Sequence, residues 1–559
     1  MSRGILMREM RYFGPPGTGK TSLLATEKIP KAVERYGSDK VMVASYTRTA
    51  AKEIVTKPSR DTGETIPVDH RNVGTLHSLC FRALGAPDLT VKHIKEWNNE
   101  YPGLKMSGKS VSNVDNPFGD GMSGSKDSGD IFMSTLNIAR SKMIPKTNVG
   151  VWNGNILGFE EKWNDFKSEK GLMDFTDLIE ESIKNIPYAP GHPRVMFLDE
   201  AQDFTPLQLK LVRNWGMDMD WFVLVGDDDQ TIFSFTGASP KAFLTPAIDP
   251  KYKTVLSQSY RVPIEVYNRA KDIIQRVKFR EPKKYFPKNE QGSVEERDES
   301  YINIDEVIDD AVEWTKRGKT VMFLASCGYM LKNLIANMRE KVIPFHNPYR
   351  KDYIPWNPLA SSENKIMPKD LLHNFLSTGE DANYWTVQQL LIWTKFLKVG
   401  DYGLIRKKAN LGLKWLADQV ENGAEGLFST REVLENILSP DAIHPALDRN
   451  LSWFLDHMKG KKPEVLQYPI DLLNEHGKNI LINDPLISIG TIHSVKGGES
   501  DIVILFPDIS YNAKEEIDTT SNGLDNMHRL FYVGMTRAKE KLILMSPRNK
   551  RRSDLWVEL

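Results

Sequence analysis

The chain has 559 residues, 40% of them hydrophobic, which is too long for one ordinary domain and enough to bury several cores. Lys+Arg and Asp+Glu both total 74, so the formal net charge is zero; this excludes a protein that coats nucleic acid by bulk charge but allows a local basic groove. Two cysteines, Cys80 and Cys327, exclude a disulfide framework and a cysteine-rich metal cluster, and both are expected to sit in cores in a reducing compartment. Met1 to Arg11 has no apolar core of signal-peptide length, and no stretch approaches a membrane span. A cytoplasmic α/β protein with no membrane partner is expected.

Met10 to Phe13 is the expected leading strand. It runs into Gly14-Pro15-Pro16-Gly17-Thr18-Gly19-Lys20-Thr21, which fits G-x-x-x-x-G-K-S/T, the phosphate-binding loop of nucleoside triphosphatases. Small residues let backbone N–H groups close around phosphates, and a helix N-terminus behind them adds its dipole. Lys20 is placed to reach the β- and γ-phosphates, and the Thr21 hydroxyl to hold Mg²⁺. Lys40 to Ser45 reads as a short buried strand. Tyr46 to Ile54 then turns helical. Val73 to Cys80 repeats that strand-to-helix design, which puts polar side chains at the carboxyl edge of a parallel sheet.

From Ala86 to Lys170 the pattern changes. Trp97 to Tyr101 reads as a helix end, and Met106 to Asp130, rich in Gly, Ser, Asn and Asp, as a mobile loop or a disordered insertion. Helical character returns at Ile131 to Ser141 and at Phe159 to Glu169.

Arg194 to Leu198 is an apolar strand ending in Asp199 and Glu200. Beside a phosphate loop, Asp199 suits Mg²⁺, and Glu200 suits the orientation and deprotonation of an attacking water. A third such strand, Trp221 to Gly226, leads to Asp227-Asp228-Asp229-Gln230, where Gln230 is placed to sense a γ-phosphate. Phe233 and Phe235 alternate, so one is expected to face the core and the other a ligand. Tyr260 stands beside Arg261.

A second α/β unit starts near Thr320 to Ala325. Mainly helical sequence interrupts it, including Thr386 to Leu397 and Ile405 to Val420. The unit resumes at Leu486 to Glu499 and closes with Arg529 to Lys539 and the strand Lys541 to Met545.

Asp199-Glu200-Ala201-Gln202-Asp203, Gly226-Asp227-Asp228-Asp229-Gln230, Tyr260-Arg261 and Tyr532-Val533-Gly534-Met535-Thr536-Arg537-Ala538-Lys539, in this order, resemble the UvrD/Rep-like branch of the superfamily 1 DNA helicases. The resemblance runs from Gly14 to Leu544. It implies two RecA-like P-loop domains with parallel sheets, each carrying a mainly helical insertion, with ATP between them. The corresponding divisions are 1–85 with 171–258, the insertion 86–170 with its 106–130 loop, 259–356 with 476–559, and the insertion 357–475. Lys20, Thr21, Asp199, Glu200 and Gln230 then come from the first domain. Arg261 and Arg537 come from the second as arginine fingers; read alone, both would be surface arginines in ion pairs. Tyr260 would stack on the base and Glu499 touch the ribose. Tyr46, Thr47, Thr75 and His77, with Thr491 and His493, would grip single-stranded DNA, and Phe233 and Phe235 would stack on bases.

The implied activity is ATP-dependent translocation on single-stranded DNA, 3′→5′, with unwinding at single-strand/duplex junctions in replication, repair or recombination. Related readings are a translocase that strips proteins from DNA and an ATP-switched recombination mediator. A monomer is expected in isolation, with replication or repair proteins as partners. The basic stretch 546–553 reads as a duplex-contacting loop or as a solvated charge run. Some positions depart from the family. No glutamine precedes Gly14, which leaves the choice among triphosphates open. Ser234 and Thr236 stand where arginines are usual. Gly498 and Ser500 replace a leucine and an aromatic, and the usual acidic residue just before Arg529 is absent.

Overall fold

The computed structural model describes the chain from Glu9 to Leu559, apart from 48–50, 52–53, 59–62, 64, 66–67, 109–126, 349–355, 360–365, 378–384, 422–429, 460–461 and 549–553. Two parallel sheets organise it. The first contains β1 (Glu9–Phe13), β2 (Val41–Ala44), β3 (Val73–Gly74), β4 (Val195–Leu198), β5 (Trp221–Gly226) and β6 (Lys253–Val255), in the order β3-β2-β4-β5-β1-β6. The second contains β7 (Ser293–Arg297), β8 (Val321–Ala325), β9 (Ile487–Thr491), β10 (Ser500–Leu505) and β11 (Ala538–Met545), in the order β7-β11-β10-β8-β9. The expected two-sheet α/β architecture is present.

The interior strands β2, β4 and β8 are unbroken apolar runs, because helices cover both faces of a parallel sheet. β1 departs from this rule with buried Glu9 and Arg11. They satisfy each other at 2.5 Å, while Arg213 reaches Glu9 at 3.1 Å and Arg11 also donates to the Leu244 carbonyl at 2.7 Å. The helix that opens at Lys20 widens into a π turn over Leu24–Lys28 before continuing as Ile29–Tyr36. Pro30 lacks an N–H and crowds the preceding turn, and the wider turn accommodates it.

Between β3 and β4, the helices Ile94–Glu100, Ser128–Ser141 and Gly154–Lys170 close over an aromatic core of Trp97, Trp152, Phe159, Trp163 and Phe166. The stretch expected to be a loop from Met106 to Asp130 is folded at both ends. Met106 N donates to Asn98 Oδ1 at 2.8 Å, Ser107 N donates to the Asp130 carboxylate at 3.0 Å, and the helix starts at Ser128. Buried Met106 and Asp130 outweigh the polar composition there; 109–126 lies outside the described residues.

The helices between β8 and β9, from Pro368–Leu376 to Lys462–His476, share a core that continues onto one face of the second sheet. At the carboxyl end, β11 is followed by Arg548, whose N–H reaches Asp508 Oδ1 at 3.0 Å and whose guanidinium reaches Tyr301 OH at 3.2 Å. Val557 returns to the Pro507 carbonyl. The basic stretch is thus anchored on both sides, with 549–553 outside the described residues.

Candidate active site and nucleic-acid groove

The phosphate loop is held from both directions. Gly14 N bonds the Gly226 carbonyl at 3.0 Å, which ties the loop to β5. Lys20 Nζ donates to the Gly14 carbonyl at 2.7 Å and packs so tightly that a Cβ on Gly14 would lie 2.1 Å from Lys20 Cγ. Thr18 Oγ1 donates to the Pro15 carbonyl at 2.8 Å. From the far side, Ser259 Oγ at 3.0 Å and Tyr285 OH at 2.8 Å both donate to the Pro16 carbonyl, and Tyr260 N donates to that of Gly17 at 2.8 Å. Gly17 has φ 74°, and a Cβ there would meet Arg261 Cβ at 2.5 Å. Gly19, at φ 77°, hands the loop to the helix at Lys20.

Two adjacent carboxyls follow β4. Asp199 Oδ2 accepts from Thr21 Oγ1 at 3.2 Å, while its Oδ1 is buried with no hydrogen-bond partner among the described residues. Burial first, then the neighbouring Glu200, pushes the Asp199 carboxyl up to about 7. Such a pair of oxygens fits a hard divalent cation, whose charge displaces the proton. Glu200 behaves oppositely. Burial would raise it, but Lys20, Lys496 and Arg537, with a 2.5 Å bond from Gln202 Nε2, hold it below the ordinary carboxylate range. Its backbone sits at φ 51°, a costly conformation for a side chain with a Cβ. The two carboxyls are thereby driven apart, as acid–base sites require.

The other half of the chain closes the cleft. Arg537 is buried: Nε donates to the Val533 carbonyl at 2.9 Å, Nη1 to that of Gly498 at 3.2 Å, and Nη2 reaches Gln230 Oε1 at 3.4 Å. Its alternative reading as a surface arginine does not hold. Arg261 Nε donates to Glu499 Oε2 at 2.6 Å, so these two expected site residues engage each other. Tyr260 is 77% exposed at the mouth.

Sequence reasoning missed four further groups. Lys496 crosses from the second half to Asp203 Oδ2 at 2.5 Å and to the Gln230 carbonyl at 2.8 Å. It had a local signal, standing directly before Gly497 and Gly498 in the stretch Leu486 to Glu499. Tyr285, Arg280 and Lys283 had none, lying in an ordinary basic stretch.

The expected nucleic-acid residues divide. Phe233 is only 1% exposed, its ring stacked on Tyr46 at 5.4 Å with Lys496 Nζ 5.0 Å away. Phe235 is 36% exposed and meets His493 edge-on at 5.3 Å. His493 Nε2 lies 3.1 Å from the Ile232 carbonyl, and burial pushes the imidazole down to about 4, so it is neutral and donates that bond. Tyr46 OH shares a 3.3 Å bond with Thr236 Oγ1. Thus Tyr46, Phe233, Phe235 and His493 form one aromatic cluster, with Thr47 half-buried beside Tyr46 and Thr491 at the end of β9. Thr75 and His77 stand apart from its surface. Thr75 is buried and caps the helix Leu76–Ala83 through Ser78 N at 3.3 Å, and buried His77 packs on Phe175.

Two family models cover the two halves of this cleft: an AAA domain over residues 6–236 and a UvrD-like helicase C-terminal domain over residues 446–549. The chain belongs to the UvrD/Rep-like superfamily 1 helicases. Lys20, Thr21, Asp199, Glu200 and Gln230 fall within the first match, and Thr491, His493, Glu499 and Arg537 within the second. Tyr260 and Arg261 lie between them. Relatives within the family include ATP-dependent DNA helicase Rep of Buchnera aphidicola subsp. Baizongia pistaciae, 24% identical over 69% of this chain and 67% of the relative. ATP-dependent DNA helicase PcrA of Staphylococcus epidermidis is 22% identical over 94% and 80%. A probable DNA helicase II homolog of Rickettsia conorii is 21% identical over 94% and 88%.

Proposed function

We propose that this chain is an ATP-driven DNA helicase that moves 3′→5′ on single-stranded DNA and opens duplex at single-strand/duplex junctions, in replication, repair or recombination. The observation that carries the reading is the assembly, in one cleft, of Lys20, Thr21, Asp199, Glu200 and Gln230 from the first sheet with Arg261 and Arg537 from beside the second. Catalytic groups split between two bodies make hydrolysis depend on closure, so each turnover becomes a stroke. The units are 1–85 with 171–258 and 259–356 with 476–559; 86–170 and 357–475 are accessory insertions.

In this reading Lys20 binds the β- and γ-phosphates after leaving the Gly14 carbonyl. Glu200, kept ionised, orients the attacking water and takes its proton. Gln230 and Arg537, already 3.4 Å apart, meet the γ-phosphate together, and Arg261 adds a second positive charge. An arginine of this kind contributes about 10³–10⁵ in rate. Thr21 and Asp199 would hold Mg²⁺, which when bound neutralises phosphate charge. Tyr260 stacks on the base and Glu499 meets the ribose. Phe235, backed by His493, Phe233 and Tyr46, offers a sequence-blind stacking face, worth about 1–3 kcal/mol per base. Thr47, Thr75, His77 and Thr491 complete the proposed DNA set, Thr75 and His77 acting from beneath the surface.

Strand displacement on duplexes carrying a 3′ or a 5′ single-stranded tail tests the proposal. Displacement of the 3′-tailed substrate alone, with ATP, is expected. Preference for the 5′ tail would overturn the direction. DNA-stimulated hydrolysis without displacement would move the reading to a protein-stripping translocase.

A further inference from the structure

The turn after β5 places three aspartates in a row in a buried site, and a single lysine meets all of them. The Lys283 side chain is 1% exposed, with Nζ 2.7 Å from Asp227 Oδ1, 2.5 Å from Asp228 Oδ1 and 2.9 Å from Asp229 Oδ2. The contacts to Asp227 and Asp228 are hydrogen bonds, and the one to Asp229 is an ion pair. Asp227 Oδ2 faces the other way and accepts from Gln230 Nε2 at 2.8 Å. That bond fixes which way the Gln230 amide points and leaves Oε1 toward Arg537.

We propose that Lys283 is a positioning residue of the nucleotide cleft: by pairing directly with Asp227, it lets Asp227 hold the Gln230 amide in its working orientation against Arg537. Among the described residues the polar side-chain partners of Lys283 are the three aspartates, not Gln230. Lys283 acts through Asp227, which it shares with Gln230.

The physical case rests on like charges. Three neighbouring carboxylates in a buried turn repel one another, and the turn is stable only with counter-charges inserted. Arg280 supplies one, at 2.5 Å from Asp229 Oδ2, and Glu281 N caps Asp228 Oδ2 at 2.8 Å. Neither reaches Asp227. Burial still pushes the Asp228 carboxyl up to about 6 despite the lysine beside it. Without Lys283, Asp227 would have no positive partner among the described residues and would turn from Gln230 or release its amide.

The contact also joins the two halves. Asp227 to Asp229 follow β5 of the first sheet. Lys283 follows the helix Ile264–Ile274, whose Val266, Ala270 and Ile273 sit in the core of the second sheet. Arg529 reinforces the junction from the helix Gly523–Met535, donating to the Asp228 carbonyl at 3.0 Å.

The inference rests on the cleft being the ATPase site, and the test separates the two claims. ATP hydrolysis on saturating single-stranded DNA is measured for the wild type, Lys283→Met, the charge-balanced Lys283→Met/Asp228→Asn, Gln230→Ala, and the charge-balanced pair combined with Gln230→Ala. The charge-balanced variant is expected to fold and to lose about 10-fold or more in kcat, with KM for ATP within about 2-fold of wild type. In the Gln230→Ala background the charge-balanced change is expected to cost nothing further, because it acts only through Gln230. Unchanged kcat, a loss that multiplies with that of Gln230→Ala, or failure of the charge-balanced variant to fold would each overturn the proposal. A wild type that does not hydrolyse ATP would overturn the reading of the cleft, and this proposal with it.

Discussion

Glu200 combines a strained backbone at φ 51° with a carboxylate held ionised by Lys20, Lys496 and Arg537. Strain at one residue persists only where the surroundings over-determine it. Glu200→Gln keeps the shape and removes the base; kcat is expected to fall about 10²–10⁴-fold with ATP binding retained, as read by a fluorescent ATP analogue. Gly17 makes the opposite demand. An alanine there would meet Ser259 Oγ at 2.7 Å and carry a positive φ besides. Gly17→Ala is expected to cost about 1–2 kcal/mol in backbone strain alone and to weaken nucleotide binding, because the Ser259–Arg261 segment must withdraw. His346 gives a pH signature. Burial, aided by Lys369 and opposed by Asp484, pushes it from the ordinary 6.5 down to about 4. Between those values the unfolded chain binds more protons than the folded one, so this group removes stability as pH falls from 6.5 toward 4. His346→Gln should therefore lose less Tm than wild type between pH 7 and pH 5, by roughly 2 °C; an identical loss would contradict the assignment.

At the scale of elements, a buried ion network ties the helices Ser128–Ser141 and Gly154–Lys170 to the start of the helix Phe175–Asn185. Arg140 reaches Asp174 at 3.0 Å, Asp177 at 2.6 Å and Glu180 at 2.8 Å, while Lys167 reaches Asp174 at 3.0 Å and Asp177 at 2.6 Å. Burial alone would raise Asp174, but Arg140 and Lys167 hold it well below the usual range. Arg140→Met leaves buried carboxylates short of a partner and is expected to cost about 3–5 kcal/mol. The measurement is loss of hydrogen-exchange protection in the helices Ser128–Ser141 and Phe175–Asn185. The elements also show what a sequence makes legible. β2, β4, β5 and β8 announce themselves because two-sided burial demands uninterrupted apolar residues. β7, Ser-Val-Glu-Glu-Arg, lies at a sheet edge and carries three charged residues in five, while β6 has three residues, and neither gives such a signal. The phosphate loop and the Asp199–Glu200 pair were legible because their chemistry is local in the chain. Lys283 and Tyr285 were not, since their partners lie 56 and 269 residues away. The Phe233–Phe235 alternation was half legible. It announced two opposite faces, but only packing under Tyr46 shows that Phe233 is the inner one.

At the scale of the whole molecule, the account depends on two sheets sharing one cleft. Lys496, Arg261 and Arg537 bring positive charge from the second half toward Asp203, Glu200 and the phosphate loop of the first. Arg537→Ala removes a guanidinium already held by the Val533 and Gly498 carbonyls. It is expected to lower kcat by about 10³-fold or more while single-stranded DNA still binds, measured by fluorescence anisotropy of a labelled oligonucleotide. The measurement that bears most directly on the central claim is ATP hydrolysis by the whole chain with and without single-stranded DNA, alongside Glu200→Gln. Strong stimulation by DNA, abolished in the variant, is the predicted result. Hydrolysis indifferent to DNA, or surviving Glu200→Gln, would contradict a DNA-driven motor working through this cleft.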